Sequence, residues 1–310
     1  SELAAWSEEL FAQFCFEMAV SGLGDATLPL TRPCRRLIAL SEGVALDLPA
    51  NTRRLRFTAG SLVVDSGDGE RTYDLASREG LGTPFRALLG GSKFALVDNN
   101  PRASMEAHPE KSGNDLDLGG HSADVWVESL DAALAIIDEH LPVLAPEMRL
   151  MLHQIVPVGY HAERHFSASL MEVVGNIYMS LHPDVLTLAE AIVHEFSHNK
   201  INALWTLQPM LENAFEPLYP SPVRPDPRPL FGVLLAVHAF LPVEQMYFSL
   251  ASSDHPLRDH PRFEARRRQI RALMDEGSAT VLTHGVPTSM GAPLLDEIRR
   301  VNAAHASALG

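Results

Sequence analysis

His194-Glu195-Phe196-Ser197-His198 is the stretch of this 310-residue chain whose residue types and spacing prescribe chemistry. Two histidines four positions apart on a helix lie one turn apart on the same face. Both imidazoles can then address one metal ion at roughly 2.0–2.1 Å, the usual zinc–imidazole distance. Glu195 points to a neighbouring face and is the candidate catalytic carboxylate: a general base, a support for the ligands, or neither. Leu188, Ala191, Ile192, Phe196 and Ile201 supply the apolar stripe that makes a helix over 186–204 credible.

Two imidazoles leave a catalytic site incomplete, because such sites usually take three protein donors and keep open positions. Downstream candidates are Glu212, Glu216, His238, Glu244, His255 and His260. His238 lies in the apolar stretch PLFGVLLAVHAFL and is the preferred third ligand; Glu212, in MLENAF, is the runner-up as the carboxylate of a two-His-one-carboxylate set. The segment 219–232, YPSPVRPDPRPLFG, holds five prolines that forbid a regular helix. It reads either as a stiff connector or as a frame aiming Arg224 or Arg228 at an anionic carboxylate. His161 and His165 form a second i,i+4 pair with Glu163 between them and are expected at the surface. The run ARRRQIR is expected as a solvated helix face.

The elements that must hold these residues follow from periodicity. Residues 2–20 place apolar groups at helical spacing (Leu3, Trp6, Leu10, Phe11, Phe14, Met18) and stop at Ser21-Gly22. Short β-like segments fill 36–75, with Ser66-Gly67-Asp68-Gly69 as the clearest turn, and the polar, Gly/Pro-rich stretch 98–120 reads as a long loop or boundary. Helices are expected over 123–140, 144–153, 186–204, 229–250, 260–276 and 292–308, and a strand over 170–181. The expected fold is therefore α+β and predominantly α-helical. A small β-rich N-terminal part, 1–120, precedes a helical metal-binding core, 121–310.

A net charge of −14 opposes binding to phosphate backbones and anionic lipid, so neither nucleic acid nor membrane is an expected partner. No uncharged apolar run reaches the roughly 18 residues of a membrane span. The start, SELAAWSEELF, does not read as a signal peptide. Two cysteines, Cys15 and Cys34, point to a reducing cytoplasm rather than a disulfide scaffold.

The combination AEAIVHEFSHNKINAL, then YPSPVRPDPRPLFGVLLAVHAF, with FSASLMEVVGNIYMSL upstream, resembles the HExxH-motif family of α-ketoglutarate-dependent peptide β-hydroxylases. That family is associated with the maturation of ribosomally made peptide natural products. The resemblance covers about residues 120–250, in three separated segments that agree in order. It implies an Fe(II) enzyme that consumes 2-oxoglutarate and O₂ and hydroxylates the β-carbon of a residue in a precursor peptide. It makes His194 and His198 iron ligands and His238 the third, and it gives Arg224 or Arg228 the distal carboxylate of the co-substrate. A three-His set departs from the usual facial triad, which keeps Glu195 and Glu212 open as carboxylate ligands. Ser167 and Ser169, in HFSASL, can bond a carboxylate or the peptide, and equally suit a turn. Some relatives carry a radical S-adenosylmethionine domain; two cysteines cannot supply its three-cysteine motif, so a stand-alone oxygenase is expected.

Two other readings compete. In a zinc metallopeptidase, Glu195 activates water and the 173–181 strand holds substrate by β-augmentation. In a non-catalytic helical peptide-binding protein, the metal site is structural or vestigial.

Overall fold

A computed structural model describes residues 2–97 and 116–308. The expected loop over 98–120 falls, for 98–115, outside the described residues. The chain divides into two compact units, one of residues 1–86 with 95–116, the other of residues 87–94 with 117–310.

In the first unit, α1 (Glu2–Val20) ends where the sequence places its stop: the Leu23 amide donates to Met18 O at 2.8 Å, and Gly22 takes a φ of 74° that suits glycine. Ala12, Cys15, Phe16 and Ala19 are its buried face, while Leu10, Phe11 and Phe14, expected on that face, stay exposed. Strands β1 (Ala26–Pro29), β2 (Arg36–Ala39), β3 (Val44–Asp47), β4 (Arg54–Thr58), β5 (Ser61–Asp65) and β6 (Glu70–Asp74) follow. They form an antiparallel sheet ordered β1-β4-β5-β6 and a separate β2-β3 hairpin. In β4, Leu55 and Phe57 point inward and the alternate arginines outward, the pattern of a sheet with one solvated face.

The second unit corrects the expectation of a predominantly helical protein. Beside its helices runs a five-stranded sheet built from β7 (Phe85–Ala87), β8 (Lys93–Ala95), β9 (Gln154–Tyr160), β10 (Ser167–Ala168) and β11 (Asn176–Leu181), ordered β10-β11-β9-β8-β7. With 45% helix and 22% strand, the chain is a mixed α+β protein. The physical reason lies in β9 and β11. They pair in parallel and are buried almost throughout, so QIVPVGY and NIYMSL read as continuous apolar runs without the alternation that marks a half-exposed strand.

The helices are α2 (Ala123–His140), α3 (Leu144–Met151), α4 (Val185–Leu207), α5 (Leu230–Ala251), α6 (Phe263–His284) and α7 (Ala292–Ala308). Between α4 and α5 the proline-rich segment forms a hairpin, β12 (Leu218–Ser221) with β13 (Arg224–Pro229). By length and composition α5 alone among the described helices is apolar enough to cross a membrane, yet 72% of its apolar window is buried within the protein. It packs against α4 and α6, which makes it the core helix of this unit.

Candidate metal centre

Helix α4 begins at Asp184, whose carboxylate accepts from the Leu186 amide at 3.1 Å and from the Thr187 hydroxyl at 3.0 Å. Two and a half turns on, His194 and His198 face each other, Nε2 to Nε2 at 3.1 Å, with ring planes 86° apart. Two nitrogens each about 2.1 Å from one ion, at roughly right angles, stand about 3.0 Å apart. The observed spacing fits two ligands on a shared metal, and equally an N–H···N hydrogen bond between the two rings. Burial lowers the His194 pKa, and burial with the neighbouring His194 brings His198 down to about 4. Both rings are thus neutral at physiological pH, the form that binds metal. The donors present fit a divalent ion of the imidazole-binding class.

Glu195 is 5% exposed and fully engaged. The Ser167 hydroxyl donates to its Oε1 and the Ser169 hydroxyl to its Oε2, both at 2.7 Å. These serines sit in and just after the short strand β10, so the carboxylate ties α4 to the edge of the sheet. One turn further, Asn199 is buried and makes a second tie. Its Oδ1 accepts from the Gly175 amide at 2.9 Å and its Nδ2 donates to Asn176 O at 3.0 Å. Gly175 has a φ of 91°, and a Cβ there would meet Met151 O at 2.8 Å, so glycine is required at this clamp. The pair is thereby aimed by two tertiary anchors as well as by its helix.

The cavity beside His194 measures about 500 Å³. Phe240 packs edge-on against the His194 ring at 4.8 Å. On another wall the Tyr247 hydroxyl donates to Glu190 at 3.2 Å, and Arg266 Nε reaches both Glu190 oxygens at 3.1 and 3.0 Å. Burial, with Glu190 adding to it, pushes the Tyr247 phenol up, so it stays protonated. Arg262, at the rim, pairs with Asp184.

The structure does not bring the expected third donor to the pair. Among the described residues, no further His, Cys, Asp or Glu places a donor within 4.8 Å of both imidazoles. His238 is 8% exposed, hydrogen-bonded to the Ser197 backbone, and lines a different cavity of about 560 Å³. Burial first, then Lys200 and His198, takes its pKa down to about 3. The apolar setting read as a sign of metal ligation is that of a neutral core histidine. Glu212 and Glu216 are exposed in the loop after α4, and Glu244 is buried in an ion pair with Arg271 at 2.8 Å. His255 joins a separate group, whereas His260 does line the cavity of His194.

Arg224 and Arg228 also lie apart from the pair and line neither of these cavities. The prolines shape a hairpin, as the ban on helix requires, but it leaves Arg224 exposed and pairs Arg228 with Asp226 at 2.9 Å.

His165, expected at the surface, is half-buried in the cavity of His194, and its Nε2 is buried without a hydrogen-bond partner. Burial and then His182 lower its pKa to about 4. A signal for it existed: His165, Ser167 and Ser169 alternate, and alternate residues of an extended segment share one face. No protein-family model matches the sequence, and no curated protein matches it.

Proposed function

We propose that this protein is an iron(II)- and 2-oxoglutarate-dependent oxygenase that hydroxylates the β-carbon of a residue in a ribosomally made peptide. The observation that carries the choice over a zinc peptidase is the state of Glu195. A peptidase of this motif needs that carboxylate open to the water it deprotonates. Here both oxygens are held by serine hydroxyls at 2.7 Å and the residue is buried. Strand β11, which a peptidase would offer to its substrate, is paired on one side with β9 and on the other with β10.

In this reading His194 and His198 hold the ion. His165 lines the same cavity with an unpartnered Nε2, but it does not lie within 4.8 Å of both imidazoles and is not counted as a ligand. Iron(II), when bound, couples oxidative decarboxylation of 2-oxoglutarate by O₂ to hydroxylation of a C–H bond, giving succinate, CO₂ and the alcohol. The chain's residues orient and exclude. Glu195, Ser167 and Ser169 lock the face of α4 that presents the imidazoles. Phe240 shields the His194 ring from water. Both arginines of this cavity are engaged, Arg262 by Asp184 and Arg266 by Glu190 and Gln269, so one of them must exchange its partner to take the distal carboxylate of the co-substrate. Two free, buried cysteines suit a reducing cytoplasm as the place of action.

Glu195→Gln is the decisive test. Loaded anaerobically with Fe(II), given 2-oxoglutarate and then O₂, the variant is expected to keep its metal and form succinate within about tenfold of the parent rate. Loss of about 10²–10⁴ in rate, the effect of removing a general base, together with zinc-dependent peptide cleavage by the parent, would establish the peptidase instead.

A further inference from the structure

A second group of donors lies away from the His194–His198 pair, and nothing in the proposed oxygenase chemistry uses it. Glu139 and His140 end helix α2, and His255 stands in the turn that follows α5. One donor atom from each lies within 4.8 Å of the other two. His140 is 5% exposed, and its Nε2 has no hydrogen-bond partner; the nearest charge is Glu139 Oε1 at 3.7 Å. Its other ring nitrogen is 3.1 Å from the Ser249 hydroxyl, which can accept the Nδ1 proton and leave the Nε2 lone pair facing the group. The His255 ring meets that of His140 edge-on, centroids 5.4 Å apart.

We infer that Glu139, His140 and His255 form a binding site for a borderline divalent cation, zinc being the best match. Two imidazoles and one carboxylate are a zinc-type donor set and a poor one for magnesium or calcium, which prefer all-oxygen ligation. An ion there accepts the lone pair of the buried His140 nitrogen and joins the end of α2 to the connection between α5 and α6. Glu139 is exposed and His255 half-exposed, so the ion has a path in. Binding also has a local signature. In the metal-free protein His255 Nδ1 accepts from the Leu257 amide at 3.2 Å. Ligation through either ring nitrogen ends that bond, since Nδ1 then carries the metal or the proton.

The site is independent of the His194 chemistry, and its test is arranged accordingly. Metal-free His194→Ala protein is titrated with Zn(II) against a chromophoric chelator. One equivalent is expected to bind with a Kd below about 10 μM, raising the Tm and speeding hydrogen exchange at the Leu257 amide. Adding His255→Gln, or separately Glu139→Gln, is expected to weaken binding at least about tenfold. Both positions are solvent-accessible, so these variants fold even where His140→Ala does not. Absence of zinc uptake in the His194→Ala protein, or uptake unchanged by both second substitutions, overturns the site and leaves the oxygenase reading as it stands.

Discussion

The His194–His198 pair and the Glu139–His140–His255 group are two ways of bringing donors together. In the first, one helix supplies both imidazoles, and a single turn sets their nitrogens 3.1 Å apart. Neighbouring strands then lock the helix through Glu195 and Asn199. In the second, the donors come from distant parts of the chain, their atoms spread over as much as 4.8 Å, and the central nitrogen has no partner. A tight pair with a tied carboxylate suits the proposed chemistry, where small misplacements are costly in rate. A looser, partly exposed trio suits a cation that fastens two elements together.

The largest expected effect separates the two regions by metal. In the proposed oxygenase, His194→Ala or His198→Ala should lower Fe(II) affinity at least about 100-fold and abolish succinate formation, because a direct ligand would be lost. Glu139→Gln should leave Fe(II) affinity within about twofold. Equal losses in both would mean that the two groups share one ion, and equilibrium dialysis under anaerobic conditions reads the difference.

Next comes the lock. Ser167→Ala with Ser169→Ala leaves a buried carboxylate without its two donors and should lower the unfolding free energy by about 2–4 kcal/mol. Urea denaturation of metal-free protein measures it. A change under about 0.5 kcal/mol would show that the tie between α4 and β10 contributes nothing and that the pair is aimed by its helix alone.

The smallest effect is graded by pH. His238 titrates at about 3, and His165 and His198 at about 4, against about 6.5 for an unfolded histidine. Between those values the unfolded chain binds more protons than the folded one, so stability falls as pH drops below about 6.5. Each such histidine contributes a slope of up to about 1.4 kcal/mol per pH unit. In metal-free protein, His238→Gln should reduce the slope by about that amount between pH 6 and 4.5, read from urea midpoints. An unaltered slope would show that the cavity of His238 is wet enough to charge the ring.

Much of the helical framework was legible from periodicity. The helix expected over 123–140 spans Ala123–His140, and the one expected over 186–204 spans Val185–Leu207. Stops were readable for the same local reason, as at Ser21-Gly22. The parallel strands were less so. The strand expected over 170–181 begins only at Asn176, and QIVPVGY carried no alternation by which to recognise β9. On α1 the period was right and the face was not. Leu10, Phe11 and Phe14 share helical spacing, but packing selected Ala12, Cys15, Phe16 and Ala19.

The site divides along the same line. By itself the sequence determined the pair, since four residues on a helix place two imidazoles side by side whatever surrounds them. It also determined that the proline-rich segment would not be helical. Only the tertiary structure decided that His238 faces another cavity, that Arg224 and Arg228 stand off in a hairpin, and that Ser167 and Ser169 hold Glu195. It alone brought Glu139 and His140 to His255. Helical spacing is a property of a few consecutive peptide units, whereas these placements depend on which faces of remote elements bury one another, and no local pattern encodes that.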